Sequence, residues 1–437
     1  MVSVREAVRT LSGSAFASAL AMGANQGALL LCGIIVAHLL GRESFGIFSL
    51  LLITVQAFAS VGQLSLGFTS TKFVSEFRAA SPRHVGNVVR LAFRLSLGFG
   101  LLIAFAVFLF RDSINIHAFG GKVLSHELLI LVPLVAMQLI ASVQSSSIAG
   151  FEDYRVQAFL ACLSALVTVL CSAVLAVVSG VAGALAGIGV GLVFKMALSK
   201  SVLSRKLTDL GEVEQGPMSR ETLSRLVGYA LPAALAGITA LPASWLAAAA
   251  LTRQHEGVAA YALYAAATNI KSLILFAPAI VTAVTVPRLS FQLASNELQQ
   301  ARHTYLIAMG ASVAVLSVGA ATVIFGASWI LGIFGAGFAD GFDVLGLVIV
   351  AGLLEGISVT LYSLFQARGQ LWLPFLIFSV PRDTILVVAA FLLCPTYGAK
   401  GLGIAAIVSA AYTVGAVVVL LALRERNQFF RPRILQS

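Results

Sequence analysis

VAAYALYAAATNIKSLILFAPAIVTAVTV, residues 258–286, carries one formal charge, Lys271, in an otherwise apolar or small and neutral run. A hydrocarbon core about 30 Å thick is crossed by ~20 residues of α-helix, so the run is long enough to span one. No water solvates backbone amides in lipid, and a helix satisfies them within the segment. Comparable runs recur at 13–40, 46–70, 89–110, 127–149, 157–178, 184–199, 227–250, 304–331, 342–366, 373–394 and 401–423. Over the whole chain 59% of residues are hydrophobic and 11% charged, with a mean hydropathy of +0.98, whereas soluble chains carry about 25% charged residues. These observations exclude a water-soluble fold and predict an all-α membrane protein of 12 transmembrane helices.

Arg5 and Arg9 before the first run resemble the start of a cleaved signal. That run of about 27 residues exceeds the ~7–15 of a signal core, however, and is read as the first span. With twelve spans both termini share a side, and the connectors fall into two sets. The set with the termini holds 21 Lys and Arg residues, Lys195, Lys200, Arg205 and Lys206 among them, and the other set holds five. The positive-inside rule then places both termini in the cytoplasm. This topology accounts for the basic pI of 9.8, and no nucleic-acid partner is expected. Cys32, Cys162, Cys171 and Cys394 all lie in apolar runs without metal-ligand spacing, so no metal site is predicted.

The longest polar connector, 200–226, divides the chain into an N-terminal six-helix lobe, 1–199, and a C-terminal one, 227–423, followed by a cytoplasmic tail, 424–437. The halves repeat. Gly41, Phe45 and Phe48 align with Gly257, Tyr261 and Tyr264, Gly150-Phe151 with Arg368-Gly369, and Gly180-x-x-Gly183 with Gly398-x-x-Gly401, at offsets drifting from 216 to 218. Six spans is an even number, so the lobes insert in the same sense and are related by a pseudo-two-fold axis along the membrane normal. Such an arrangement puts a transport site in the cleft between lobes. Gly183-x3-Gly187, Gly187-x3-Gly191 and Gly352-x3-Gly356 are small-residue spacings for close helix packing.

Setting aside charges near span ends and those counted with the connectors, four remain near the middle of spans, Lys271, Glu355, Arg382 and Asp383, all in the second half. Each costs roughly 2.5–3.5 kcal/mol at mid-helix, which demands partners, a hydrated cavity, or both. One reading pairs Lys271 with Glu355 and Arg382 with Asp383 as structural bridges. The other lines a lumen with Lys271 and Arg382 as anion-binding cations, with Glu355 and Asp383 tuning or coupling them. Neighbours on a helix differ by about 100° in direction, so Arg382 and Asp383 are expected to meet different surroundings, with Pro381 kinking the span. In the first half Asn25 and Gln26 are the polar residues best placed to line the cavity, while Gln63, Gln138 and Gln144 suit interhelical hydrogen bonds.

No Walker A, HExxH or GxSxG sequence occurs, so neither an ATP-driven nor a hydrolytic enzyme is expected. No cofactor is implied. Energy would come from an H+ or Na+ gradient or from the membrane potential.

HLLGRESFGIFSL, 38–50, the Gly67-Phe68 to Phe73-Val74-Ser75-Glu76 stretch and Pro287-Arg288-Leu289-Ser290 resemble motifs of the polysaccharide flippase branch of the multidrug, oligosaccharidyl-lipid and polysaccharide exporter superfamily. The resemblance implies a MATE-like fold in the bacterial cytoplasmic membrane. It further implies alternating-access flipping of a polyprenyl-pyrophosphate-linked oligosaccharide to the outer leaflet, with a cationic cavity for the pyrophosphate. A glycan polymerase and other assembly proteins would be its partners, and the transporter would be a monomer. Two rivals are weaker. Multidrug cation antiporters of the superfamily commonly use acidic residues deep within first-lobe spans, absent here, and a glycan polymerase or ligase would need a large outer loop.

Overall fold

A computed structural model describes residues 4–63, 66–80, 82–123, 125–210, 239–295, 297–368 and 372–425. Its long elements are α1 (Val4–Gln63), α2 (Leu66–Ala80), α3 (Pro82–Phe119), α4 (Ser125–Gly150), α5 (Tyr154–Asp209), α6 (Ala240–Thr252), α7 (Gly257–Ala294), α8 (Leu298–Phe325), α9 (Ala327–Gly332), α10 (Phe342–Ala367) and α11 (Val380–Glu425). Short helical turns at Ala336–Gly341, Trp372–Pro374 and Phe375–Ser379 complete the described chain. Among the described residues eight helical stretches are long and apolar enough to cross a membrane. The all-helical membrane fold expected from composition is thus observed. Most of the 200–226 linker, the first part of the seventh span and nearly all of the tail lie outside the described residues.

Among the described residues three long helices, α1, α5 and α11, contain a non-helical break, and each is broken at glycine in a connector between spans. The breaks are Gly41 (φ 82°, ψ 179°) in α1, Ser179–Gly180 in α5 and Gly398 in α11. Gly180 (φ 60°, ψ −137°) and Gly398 (φ 55°, ψ −132°) share a conformation that only glycine adopts readily. Their companions repeat as well. A Cβ on Gly183 would overlap the Leu175 carbonyl oxygen, and one on Gly401 the Leu393 carbonyl oxygen, eight residues earlier in both cases. These two turns are therefore one motif used twice, as the aligned glycines predict. The Gly41 match is looser, because Gly257 opens α7 while the left-handed residue there is Glu256 (φ 55°). Gly398→Ala is expected to destabilise by roughly 1–3 kcal/mol through backbone strain, read as a lower melting temperature of the purified protein in detergent.

The chain divides into two compact units, Met1–Arg253 and Gln254–Ser437. In the first, α1 packs along α5 through Ala17, Ala21, Ala158 and Ala161, small residues that bring the backbones close. At one end α2 to α5 share a core of Phe73, Val74, Val88, Ile148, Phe151 and Leu203. Gly150 lies against Val74 there, 2.7 Å from where a Cβ would sit. The second unit closes around Leu289, Tyr305, Leu364, Phe365, Phe378 and Val417. Ser290 donates to the Ala367 carbonyl at 3.2 Å, so the Pro-Arg-Leu-Ser step contributes a core leucine and a helix cap.

Helix α6, placed by sequence in the C-terminal lobe, packs with the first unit. The reason is Trp245, whose indole donates to Thr54 at 2.9 Å and stacks edge-on against Phe58. The packing boundary therefore falls at Arg253, one span later than the boundary expected at the linker. Outward rows such as Leu102, Phe105 and Leu109 on α3, and Leu166, Leu170 and Val177 on α5, are exposed. In water such surfaces would aggregate; in lipid they are the expected exterior.

Candidate functional site: the charged centres of each unit

In the second unit α7, α10 and α11 pack against one another and bring the four intraspan charges together. Lys271 stands 14 residues into α7, about 21 Å along the helix, and donates to the Glu355 carboxylate at 2.7 Å. Gly352, one turn before Glu355, makes this possible. A Cβ there would lie 2.6 Å from Lys271 Cγ, so the lysine stem lies over the missing side chain. The Gly352-x3-Gly356 spacing thus seats Lys271 as well as Leu316, whose methyls fill the space over Gly356.

Arg382 and Asp383 pair with each other, Nε and Nη2 each reaching Oδ1 at 2.7 Å. The long arginine stem curls back across the 100° step. Their surroundings still differ as expected, since the Arg382 side chain is 32% exposed and that of Asp383 7%. The Arg382 guanidinium is near enough to act electrostatically on both Lys271 and Glu355, so the two pairs form one cluster. Asp383 Oδ2 is buried with no hydrogen-bond partner among the described residues.

The expected kink at Pro381 takes the form of a wide π turn at Phe375–Ser379, just before it. Proline has no amide proton for the carbonyl four residues back, that of Ile377. The Tyr412 hydroxyl donates to that oxygen at 3.0 Å instead.

The two pairings are those of the structural reading, and with the carboxylates ionised the cluster is neutral. It is not sealed. Glu355 keeps 42% of its side chain exposed halfway along α10, where a carboxylate facing lipid would be prohibitively placed.

In the first unit Asn25 is exposed and donates to the Ala21 carbonyl at 2.8 Å, while Gln26 is half-buried and makes no side-chain hydrogen bond among the described residues. Gln63 donates to Ser142 across α1 and α4, the interhelical role expected of it. Sequence reasoning missed Lys195. Counted with the cytoplasmic connectors because its apolar run ends at 199, it lies well inside the second arm of α5, which continues to Asp209. Its ammonium reaches Asn25 Oδ1 at 3.5 Å. A lysine inside rather than after an apolar run was the available signal.

A third charged group ties the turn between α4 and α5. Arg78 pairs with Glu152 at 2.6 Å and Lys206 with Asp153 at 2.6 Å. Partial burial pushes the Asp153 carboxyl up, but hydrogen bonds from Lys206 and the Val156 amide, with the charges of Lys206 and Arg155, outweigh it. They hold it below the ordinary carboxylate range. A depressed carboxylate stabilises the fold above its unfolded pKa and loses that contribution as pH falls through the folded value. The melting-temperature gap between wild type and Asp153→Asn is therefore expected to be steady from pH 6 to 8 and to shrink below about pH 4.

This helical membrane architecture is shared with solved transporters. The chain superposes on a multidrug-resistance MATE family transporter of the MOP superfamily in its inward-facing conformation, with a TM-score of 0.80 at 19% identity over 95% of this chain and 98% of the other. A MOP superfamily transporter from Pyrococcus furiosus, described by a reversed polarity of its binding pocket, gives a TM-score of 0.70 at 18% identity over 97% and 96%. The molecule is a multi-pass membrane transporter of MATE-like fold. Residues 12–293 match the family described as polysaccharide biosynthesis protein, and the chain belongs to that family. Its relatives include the EPS I polysaccharide export inner membrane protein EpsE of Ralstonia nicotianae, 28% identical over 91% of this chain and 90% of that protein, and EpsE of Ralstonia solanacearum, 26% identical over the same shares.

Proposed function

We propose that the chain flips a polyprenyl-pyrophosphate-linked oligosaccharide from the inner to the outer leaflet of the bacterial cytoplasmic membrane, with both termini cytoplasmic. The observation that carries the reading is the exposed part of the ion cluster. Glu355 and Arg382 open onto a surface at mid-helix depth that must be wet, and a wet polar surface within a transporter of this family fits a sugar and phosphate head while the lipid tail stays outside. Family membership and the export function in the name of EpsE support a glycan cargo. Alternating access would expose the head to each side of the membrane in turn.

Against a potential negative inside, each negative charge carried outward gains about 2.3 kcal/mol per 100 mV, so export of a pyrophosphate is driven without a second ion. The test is flipping of a fluorescent polyprenyl-pyrophosphate disaccharide in proteoliposomes. Flipping that accelerates as the potential on the donor side becomes negative is expected. Absence of flipping at every potential and under H+ or Na+ gradients removes the proposal.

A further inference from the structure

We infer that Lys195, held by Asn25, is an anion-recognising group of the first unit that engages the phosphate-bearing head of the cargo. The starting point is charge balance. Lys271 and Arg382, the cations expected to bind the anion, each have a carboxylate at 2.7 Å and need no further partner. Lys195 has none. Among the described residues no carboxylate lies within ion-pair distance of it, and its one side-chain contact is the neutral Asn25 oxygen.

Depth makes this costly. Lys195 stands 15 residues past the Gly180 break, about 22 Å along the helix and so still within a hydrocarbon core of about 30 Å. A cation about 8 Å short of the far edge is stabilised by water, a counter-ion or both. Asn25 is exposed, and an exposed amide at such depth again indicates a hydrated surface rather than lipid.

Orientation is set too. The Asn25 amide nitrogen is committed to the Ala21 carbonyl, which turns its oxygen toward Lys195. One of the three ammonium N–H directions is then used and two remain for a ligand. Phosphate oxygens accept such charge-assisted bonds well. The second unit has no equivalent cation. The offset of 218 set by the paired Gly180 and Gly398 turns places Thr413 opposite Lys195, and Thr413 is buried, its hydroxyl bonded to the Ser409 carbonyl. The cation is therefore an addition to the repeated framework, with no fold role that the other half also needs.

The inference rests on the flippase reading, and the experiment separates the two. Full-length protein in phosphatidylcholine nanodiscs is titrated with undecaprenyl pyrophosphate, and separately with phosphatidylglycerol, with binding followed by native mass spectrometry. Wild type is expected to bind the pyrophosphate lipid, Lys195→Gln to weaken it about tenfold or more, and Lys195→Arg to restore most of it. Asn25→Ala, which keeps the cation but frees its stem, is expected to give a smaller loss and serves if Lys195→Gln fails to fold. Wild-type affinity in both Lys195→Gln and Asn25→Ala overturns the inference and leaves the flippase reading intact. Equal weakening for phosphatidylglycerol assigns the site to bulk anionic lipid and overturns it as a cargo site. No binding by wild type overturns the flippase reading itself.

Discussion

Lys271→Met is expected to lower the stability of the purified transporter by about 1–3 kcal/mol, and Lys271→Met with Glu355→Gln to regain most of that loss. Removing one partner of a sealed pair costs ~3–5 kcal/mol, because the remaining charge is stranded. Here the cost is smaller, since Glu355 keeps 42% of its side chain exposed and water screens what is left. Replacing both ions removes the attraction and the desolvation together, which is why the double variant recovers. Thermal melts in detergent check the stability. Transport separates the two roles of the pair: if its only part is to join α7 to α10, the recovered double variant flips cargo normally, whereas a part in handling the head leaves it folded and slow.

Gly187→Leu is expected to abolish accumulation of folded protein. Gly183, Gly187 and Gly191 lie one turn apart on the second arm of α5 and face Leu175, Ser172 and Thr168 on the first. At Gly187 the atoms in the way are backbone, Ser172 N and Cα and the Cys171 carbonyl carbon, and backbone cannot rotate aside. The arms are also joined by Ser172, whose hydroxyl donates to the Ala184 carbonyl at 2.6 Å. Overpacking usually costs ~1–3 kcal/mol, and a branched side chain driven into a backbone exceeds that range. Size-exclusion chromatography of the solubilised membrane checks it. A monodisperse peak at wild-type yield would show that the arms can part. Gly415→Leu on α11, where an added Cβ meets nothing within 4 Å, is the matched control.

Much of the fold is legible in the residues because lipid imposes simple demands. Long apolar runs have to be helices, and Gly180 and Gly398 have to mark turns because no other residue takes that conformation cheaply. The four charges are legible as one group, two cations and two carboxylates in the same half, and the pairings found are one of the two readings the sequence left open. What stays hidden depends on how far helices run beyond their apolar stretch. Lys195 looks like a residue at a membrane edge because composition changes after 199, yet the backbone stays helical to Asp209. The placement of α6 is hidden for another reason: a tryptophan's choice of partner, Thr54, is a contact between residues 191 positions apart that no local pattern encodes.

The wide turn at Phe375–Ser379 sets the direction of every side chain beyond it on α11. One surplus residue in a helix advances the remainder by about 100° around the axis. Were that loop of backbone to tighten to the ordinary pitch, Arg382 would rotate away from its present outlook and Asp383 into a new one. The Tyr412 hydroxyl, latched onto the Ile377 oxygen, guards that angular setting. Tyr412→Phe takes the latch off without touching a single charge.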